Sequence, residues 1–171
     1  DVRLDVLADV FGIPLIKVHD ICVAFNCRPV PKSTATEVKN GINISGGSGN
    51  FIITDNTITT LTGGDQYAFR MKDGATTSKE ATLSGNNFTA PRAIEMNNSS
   101  TASTLNITSG NYYGEIYKES ADAATFSFTG GTFSEPKATV DGYCAYGYAA
   151  VANDPDDEHC TVRKLEVARI G

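Results

Sequence analysis

No stretch of about 18 apolar residues occurs in the chain, so no segment reads as a membrane-spanning helix. Clusters of Lys or Arg are missing too. With a formal net charge of −6 over 171 residues, the balance argues against a nucleic-acid surface, which needs a basic patch. No charged n-region followed by an apolar stretch and a cleavage site is present. The chain opens on Asp1 rather than Met, as a trimmed or excised piece would, and a signal or anchor lost in this way is compatible with that start. Tryptophan is absent and only 20% of residues are charged, against 40% hydrophobic, which excludes a disordered chain. Ser and Thr are missing from Asp1 to Pro31 and abundant from Lys32 onward, so the composition changes at that point.

What is present is a phrase written four times. An apolar residue is followed by Ser or Thr, two small turn-formers, Asn or Thr, and a bulky apolar residue. The copies are Ile53-Thr54-Asp55-Asn56-Thr57-Ile58, Leu83-Ser84-Gly85-Asn86-Asn87-Phe88, Ile107-Thr108-Ser109-Gly110-Asn111-Tyr112 and Phe128-Thr129-Gly130-Gly131-Thr132-Phe133. Phe51, Ala81, Leu105 and Phe126 stand two residues before the first position of each copy. Period-two alternation turns each such pair to the same side, so Phe51/Ile53, Ala81/Leu83, Leu105/Ile107 and Phe126/Phe128 should face inward. The small pair turns a corner, where Gly and Asn tolerate positive φ, and the last position starts a new wall.

A second limb follows three of the copies: Tyr67-Ala68-Phe69-Arg70-Met71, Arg92-Ala93-Ile94-Glu95-Met96 and Gly114-Glu115-Ile116-Tyr117-Lys118. In register, Phe69, Ile94 and Ile116 stack inward and Met71 lies beside Met96, with the register ending at Lys118. The first limbs are spaced 30, 24 and 21 residues apart, so loops absorb unequal lengths. A unit this short cannot bury its apolar face alone and must stack on its neighbours. The prediction is an all-β chain folded as a parallel β-helix, with coils about 4.8 Å apart. A β-sandwich of hairpins is the rival, but it requires no in-register repetition of whole limbs.

Residues 1–31 read as a capping segment: Leu4, Leu7, Val10 and Phe11 recur at helical spacing, and Ile16 to Phe25 alternate as a strand. Such an element would cover the apolar end of the stack. The Arg28-Pro29-Val30-Pro31-Lys32 stretch reads as an extended connector. The repeats occupy 32–165, with the four-fold phrase inside about 41–133 and a terminal repeat at 126–165. Residues 166–171 form a tail.

That terminal repeat carries a resemblance. Phe126-Ser127-Phe128-Thr129-Gly130-Gly131-Thr132-Phe133-Ser134 is followed by Tyr143, Ala145, Gly147-Tyr148, Ala150-Val151 and a closing Thr161-Val162. This resembles the terminal repeat of secreted and cell-surface proteins of gut-type bacteria, in which a strand ending "GGTFS" leads through a "Y-x-A-x-G-Y-x-A" turn to a "T-V" strand. The resemblance implies a right-handed parallel β-helix, similar in shape to the pectate-lyase group, and a secreted or cell-surface location. Cys144, Cys160 and the acidic run Asp154-Pro155-Asp156-Asp157-Glu158 depart from that pattern.

The candidate chemistry is sparse. Four cysteines, Cys22, Cys27, Cys144 and Cys160, allow local pairing, with a Cys144–Cys160 disulfide weighed evenly against reduced, buried thiols. His19, Cys22 and Cys27, with His159 and Cys160, match no zinc spacing, so no metal and no cofactor is expected. The acidic run lacks the spacing and the central Gly of a calcium loop and reads as a solvated hairpin tip. Outward positions of the second limb align Arg70, Glu95 and Tyr117 as one column, and Tyr113 and Tyr117 are the tyrosines expected to point outward. These four residues are the candidate surface contact. An Arg–Glu–Tyr column reads as a surface ion pair with an aromatic neighbour. Polysaccharide hydrolysis requires two carboxylates at defined separation, and although Asp55 and Asp65 lie near the corner and loop of the first copy, no second acid repeats beside them. The function this supports is a non-catalytic module for adhesion, surface presentation or partner contact, with a glycan or cell-surface protein as partner. A polysaccharide-acting domain and a carbohydrate-binding module are the alternatives.

Overall fold

The structure is a computed structural model that describes residues 29–30, 34–45, 49–72, 79–97, 103–119, 124–153 and 159–166. All of the expected N-terminal cap 1–31 except Pro29 and Val30, together with Cys22, Cys27 and the acidic run, lies outside the described residues.

The chain is a parallel β-helix, as the repeat predicts. Three walls are built strand by strand. The first wall stacks β1 (Pro29–Val30), β4 (Gly49–Thr54), β7 (Lys79–Ser84), β9 (Thr104–Ile107) and β11 (Thr125–Phe128), every neighbour parallel. The second stacks β2 (Thr34–Val38), β5 (Thr57–Thr60), the first half of β8 (Asn86–Asn97), the first half of β10 (Gly110–Lys118) and β12 (Thr132–Phe133). The third stacks β3 (Ile42–Ser45), β6 (Tyr67–Lys72) and the second halves of β8 and β10.

Pairing follows the phrase. Ile53 lies beside Leu83, Leu83 beside Ile107 and Ile107 beside Phe128, and all four side chains are fully buried. The wall-starting positions form a second inner column, Ala35–Ile58–Phe88–Tyr112–Phe133, and the second limb a third, Ile42–Phe69–Ile94–Ile116. Met71 pairs with Met96 as expected, and Ile44 joins them. At the C-terminal end these columns become aromatic: the Tyr112 and Phe133 rings stack at 5.3 Å between centroids, and Phe128 and Phe133 at 5.1 Å. The apolar column ends at Lys118 but the backbone pairing does not, since Lys118 still sits beside Met96 and its ammonium donates to the Ala124 carbonyl.

One coil precedes the four-fold phrase. Val30 pairs with Ile53, and Ala35 with Ile58, so β1–β3 form one more rung, 23 residues before the first copy of the phrase. The connector stretch thus contributes a strand.

The corners use two chemistries. In the phrase of β4 and that of β7, the third position takes positive φ (Asp55 at 56°, Gly85 at 65°), and the following Asn turns inward. Asn56 and Asn86 are buried; Asn56 donates through its amide to Asn86 Oδ1 at 3.0 Å, and Asn86 donates to the Ile53 carbonyl at 2.9 Å. These bonds satisfy backbone and amide groups that a corner would otherwise leave unpaired inside. In the next two copies positive φ moves to the fourth position, at Gly110 and Gly131, and the ladder stops.

The last turn closes the stack. Because β12 is only two residues long, Ser134 Oγ and a Glu135 carboxylate oxygen accept from the Gly114 and Ile116 amides in its place. A short helix α1 (Lys137–Asp141) leads into β13 (Tyr148–Ala152) and β14 (Cys160–Lys164), an antiparallel hairpin that attaches to β12 through β14. The closing Thr161-Val162 is a strand, as the terminal pattern anticipates.

The fold tolerates least change where one coil touches the next without a side chain between them. A Cβ on Gly114 would lie 1.8 Å from the Ala90 carbonyl oxygen, at a φ of +130°. Gly114→Ala should therefore abolish the cooperative unfolding transition in urea, while Leu83→Ala should keep the transition and lower stability by about 2–5 kcal/mol. An alanine at 114 that unfolds like the parent would contradict the coil packing.

Candidate functional site

The outer side of the third wall carries the polar cluster. Alternation sends Phe69, Ile94 and Ile116 inward, and the residue after each faces out. Register then brings Asn43, Arg70, Glu95 and Tyr117 into one line, one residue per coil. Arg70 donates from Nε to Asn43 Oδ1 at 3.1 Å, lies 4.0 Å from the centre of the Tyr67 ring and 4.0 Å from a Glu95 oxygen. Glu95 is outward in topology yet buried, because arginines cover it from two sides; its side chain is 4% exposed.

The second arginine is Arg92, which alternation does not predict here. Its guanidinium meets Asp65 at 2.8 Å, Glu115 at 3.4 Å and Glu95 at 3.5 Å, and lies 3.8 Å from the centre of the Tyr117 ring. Residues three apart on a regular strand face opposite sides. The corner of β8 is not regular: Tyr113 pairs with Thr89, Glu115 with Arg92 and Ile116 with Ile94, so β8 spends two extra residues there. That irregularity rotates Arg92 onto the face of Glu95. The i,i+3 opposite charges are the one sequence signal, and they become neighbours only once the bulge is known.

Of the four candidate contact residues, Arg70, Glu95 and Tyr117 come together and Tyr113 does not. Tyr113 sits on the second wall, its ring edge-on to His159 at 5.5 Å. The column was expected to contain a single acid; in the structure Asp65 and Glu115 converge on Arg92 beside Glu95.

The electrostatics are those of a clasp. Burial alone would lower the affinity of Arg92 for its proton, but Glu95, Asp65 and Glu115 outweigh it and raise the pKa. Arg92 occupies the centre toward which all three carboxylates point, and among the described residues no group of three His, Cys, Asp or Glu side chains is arranged to hold a metal ion. Lys79, unlike the two half-buried arginines, is buried, and it donates from Nζ to the Lys72 carbonyl at 2.8 Å.

Cys144 and Cys160 are free thiols, so the disulfide weighed from the sequence is not formed. Each sulfur is turned to a different carbonyl: Cys144 Sγ donates to Val140 O at 3.4 Å and Cys160 Sγ to Glu135 O at 3.5 Å. Burial first, and the nearby Asp141 charge second, push both thiols up, Cys160 to about 11, so both are protonated at neutral pH.

Removing the centre of the clasp should cost more than removing its rim. Arg92→Ala leaves the buried Glu95 with only the longer Arg70 contact and should lower the unfolding free energy in urea by about 3 kcal/mol. Asp65→Asn, at an 82% exposed side chain, should change it by less than about 1 kcal/mol. Equal effects of the two would mean that Glu95 does not depend on Arg92.

Scans against family models, curated proteins and solved structures return no match to this chain.

Proposed function

We propose that this chain is a non-catalytic β-helical module of a bacterial secreted or cell-surface protein, serving adhesion, surface presentation or partner contact. The observation that carries this reading is the arginine clasp. A general acid or base must exchange a proton with its substrate. Glu95 is buried beneath two arginines, and Asp65 and Glu115 are each held by Arg92. Arranged in this way, the acids fasten loops and limbs of successive coils to one another. What remains for recognition is the shape and side-chain pattern of the stacked walls. The terminal "GGTFS" to "T-V" pattern supports the secreted or surface setting.

A second reading has its own observation. Three carboxylates gathered round one arginine on an outer wall are the kind of group a polysaccharide-acting enzyme uses, and this favours that class over a sugar-binding module without catalysis.

One experiment separates the two. The purified chain is applied to immobilised bacterial-envelope glycans and host cell-surface proteins, and in parallel is incubated with soluble neutral and acidic polysaccharides while reducing ends and unsaturated products are followed. The contact module predicts saturable binding with no bond cleavage. Product formation that disappears in both Glu95→Gln and Arg92→Ala, with each variant folded by circular dichroism, would replace it with the enzyme.

A further inference from the structure

The outer face of the second wall carries a polar array to which neither the packing nor the clasp gives a task. Ile58, Phe88 and Tyr112 are buried, so the residues on either side of each point out. Register sets them in two lines. Thr34, Thr57, Asn87, Asn111 and Thr132 follow one another coil by coil, and the closing hairpin adds Thr161. Beside them run Thr59, Thr89 and Tyr113, with the His159 ring edge-on to Tyr113 at 5.5 Å. Neighbours within a line lie about 4.8 Å apart, and the two lines about 6.6 Å apart.

No member of either line is an Asp, Glu, Lys or Arg, in a chain whose net charge is −6. Their polar groups are also unspent. Among the described residues the side chains of Thr57, Thr59, Asn87, Thr89 and Asn111 have no hydrogen-bond partner, and Asn87, Thr89 and Asn111 are exposed. Asn87 lies directly beside Asn111 without a bond between the two amides, whereas the inward pair Asn56 and Asn86 is bonded. The first wall differs. Glu80 puts a charge on its outer face and takes the Asn106 amide at 2.8 Å, the Thr108 and Thr129 hydroxyls turn back to backbone carbonyls, and Ile52 is exposed.

Free hydroxyls and amides at a constant interval fit a polymer that has the same interval and offers hydroxyls of its own. An extended β-1,4-linked pyranose chain advances by close to one coil spacing per ring, so each ring would meet the groups of one coil. The face of a sugar ring can also stack on the Tyr113 ring. Charge selects the kind of glycan: with no Lys or Arg in either line, an acidic chain would find no counter-charge there. A protein partner is the poorer fit, because such contacts are anchored on large buried side chains and Tyr113 is the one large side chain in the two lines.

We propose that the outer face of the second wall binds a neutral, extended β-1,4-linked glycan lying along the stack, one ring to each coil. This rests on the contact-module reading above and names its partner; the groups that carry it lie on the second wall, apart from the carboxylates of the clasp.

The test is calorimetric titration of the whole chain with cello- and chito-oligosaccharides of increasing length, and with polygalacturonate as the acidic comparison. Affinity for at least one neutral series should rise with each added ring and level off once the oligosaccharide spans the five coils of the wall. Asn87→Ala with Asn111→Ala should weaken binding about tenfold, and Tyr113→Ala should weaken it several-fold. Thr104→Ala with Ser127→Ala, on the outer face of the first wall, should leave it unchanged. Neither series binding, affinity independent of length, polygalacturonate binding at least as tightly, or both second-wall variants binding like the parent while folded by circular dichroism would each overturn the proposal. If the double variant fails to fold, Tyr113→Ala decides alone: weaker binding for, unchanged binding against. Saturable binding to a cell-surface protein with none to either series would end this inference and leave the contact module standing, whereas cleavage of the oligosaccharides would end the module itself.

Discussion

Parallel backbone hydrogen bonding between coils is the constraint on which the rest of the molecule depends. Each strand is bonded to the strand one coil before and one coil after, so a side chain has a fixed neighbour about 4.8 Å away on each side. A slip of one residue would turn every inward side chain of a limb to solvent. The sequence therefore has to offer an apolar residue wherever the preceding coil offered one. It does so in three inner columns, through Ile53, Leu83, Ile107 and Phe128, through Ile58, Phe88, Tyr112 and Phe133, and through Ile42, Phe69, Ile94 and Ile116.

The same constraint governs the outside. Charges of one sign placed coil over coil would repel at that spacing, so the third wall alternates: Asn43, Arg70, Glu95 and Tyr117 in one line, Tyr67, Arg92 and Glu115 in the next. Where the two lines meet, Glu95 is shared by both arginines and both arginines lie over tyrosine rings. The arrangement resembles an acid-rich site in composition and behaves as a fastening in contact pattern. At the C-terminal end the constraint has to be released, and Ser134, Glu135 and Asp141 do this by accepting from amides that no further coil would meet.

The legible part of the fold was what repeats. Ile53 to Phe128 and Phe69 to Ile116 could be aligned from their spacing because apolar identity and the Gly/Asn corners recur together. The first rung was not legible, since the sequence Pro31-Lys32-Ser33-Thr34 between Val30 and Ala35 contains no glycine or asparagine to match the phrase. Arg92 was missed because strand alternation assumes a regular strand, and β8 is irregular where it matters. Helix α1 and the reversal into an antiparallel hairpin depend on what the last coil must cover, a tertiary demand that five residues of local sequence do not announce. Of the candidate site, Arg70, Glu95 and Tyr117 followed from register, whereas the burial of Glu95 and the approach of Asp65 and Glu115 came from a bend and a loop.

The central claim is the one-residue-per-coil register of the inner columns, and through-space magnetisation transfer tests it most directly. With Ile and Leu methyl groups and Phe rings labelled, the account predicts cross-peaks for Ile53 with Leu83, Leu83 with Ile107 and Ile107 with Phe128. It predicts a far weaker or absent peak for Ile53 with Ile107, two coils and about 9.6 Å apart. Strong transfer between Ile53 and Ile107 without transfer from either to Leu83 would contradict the stacked register and the walls built on it.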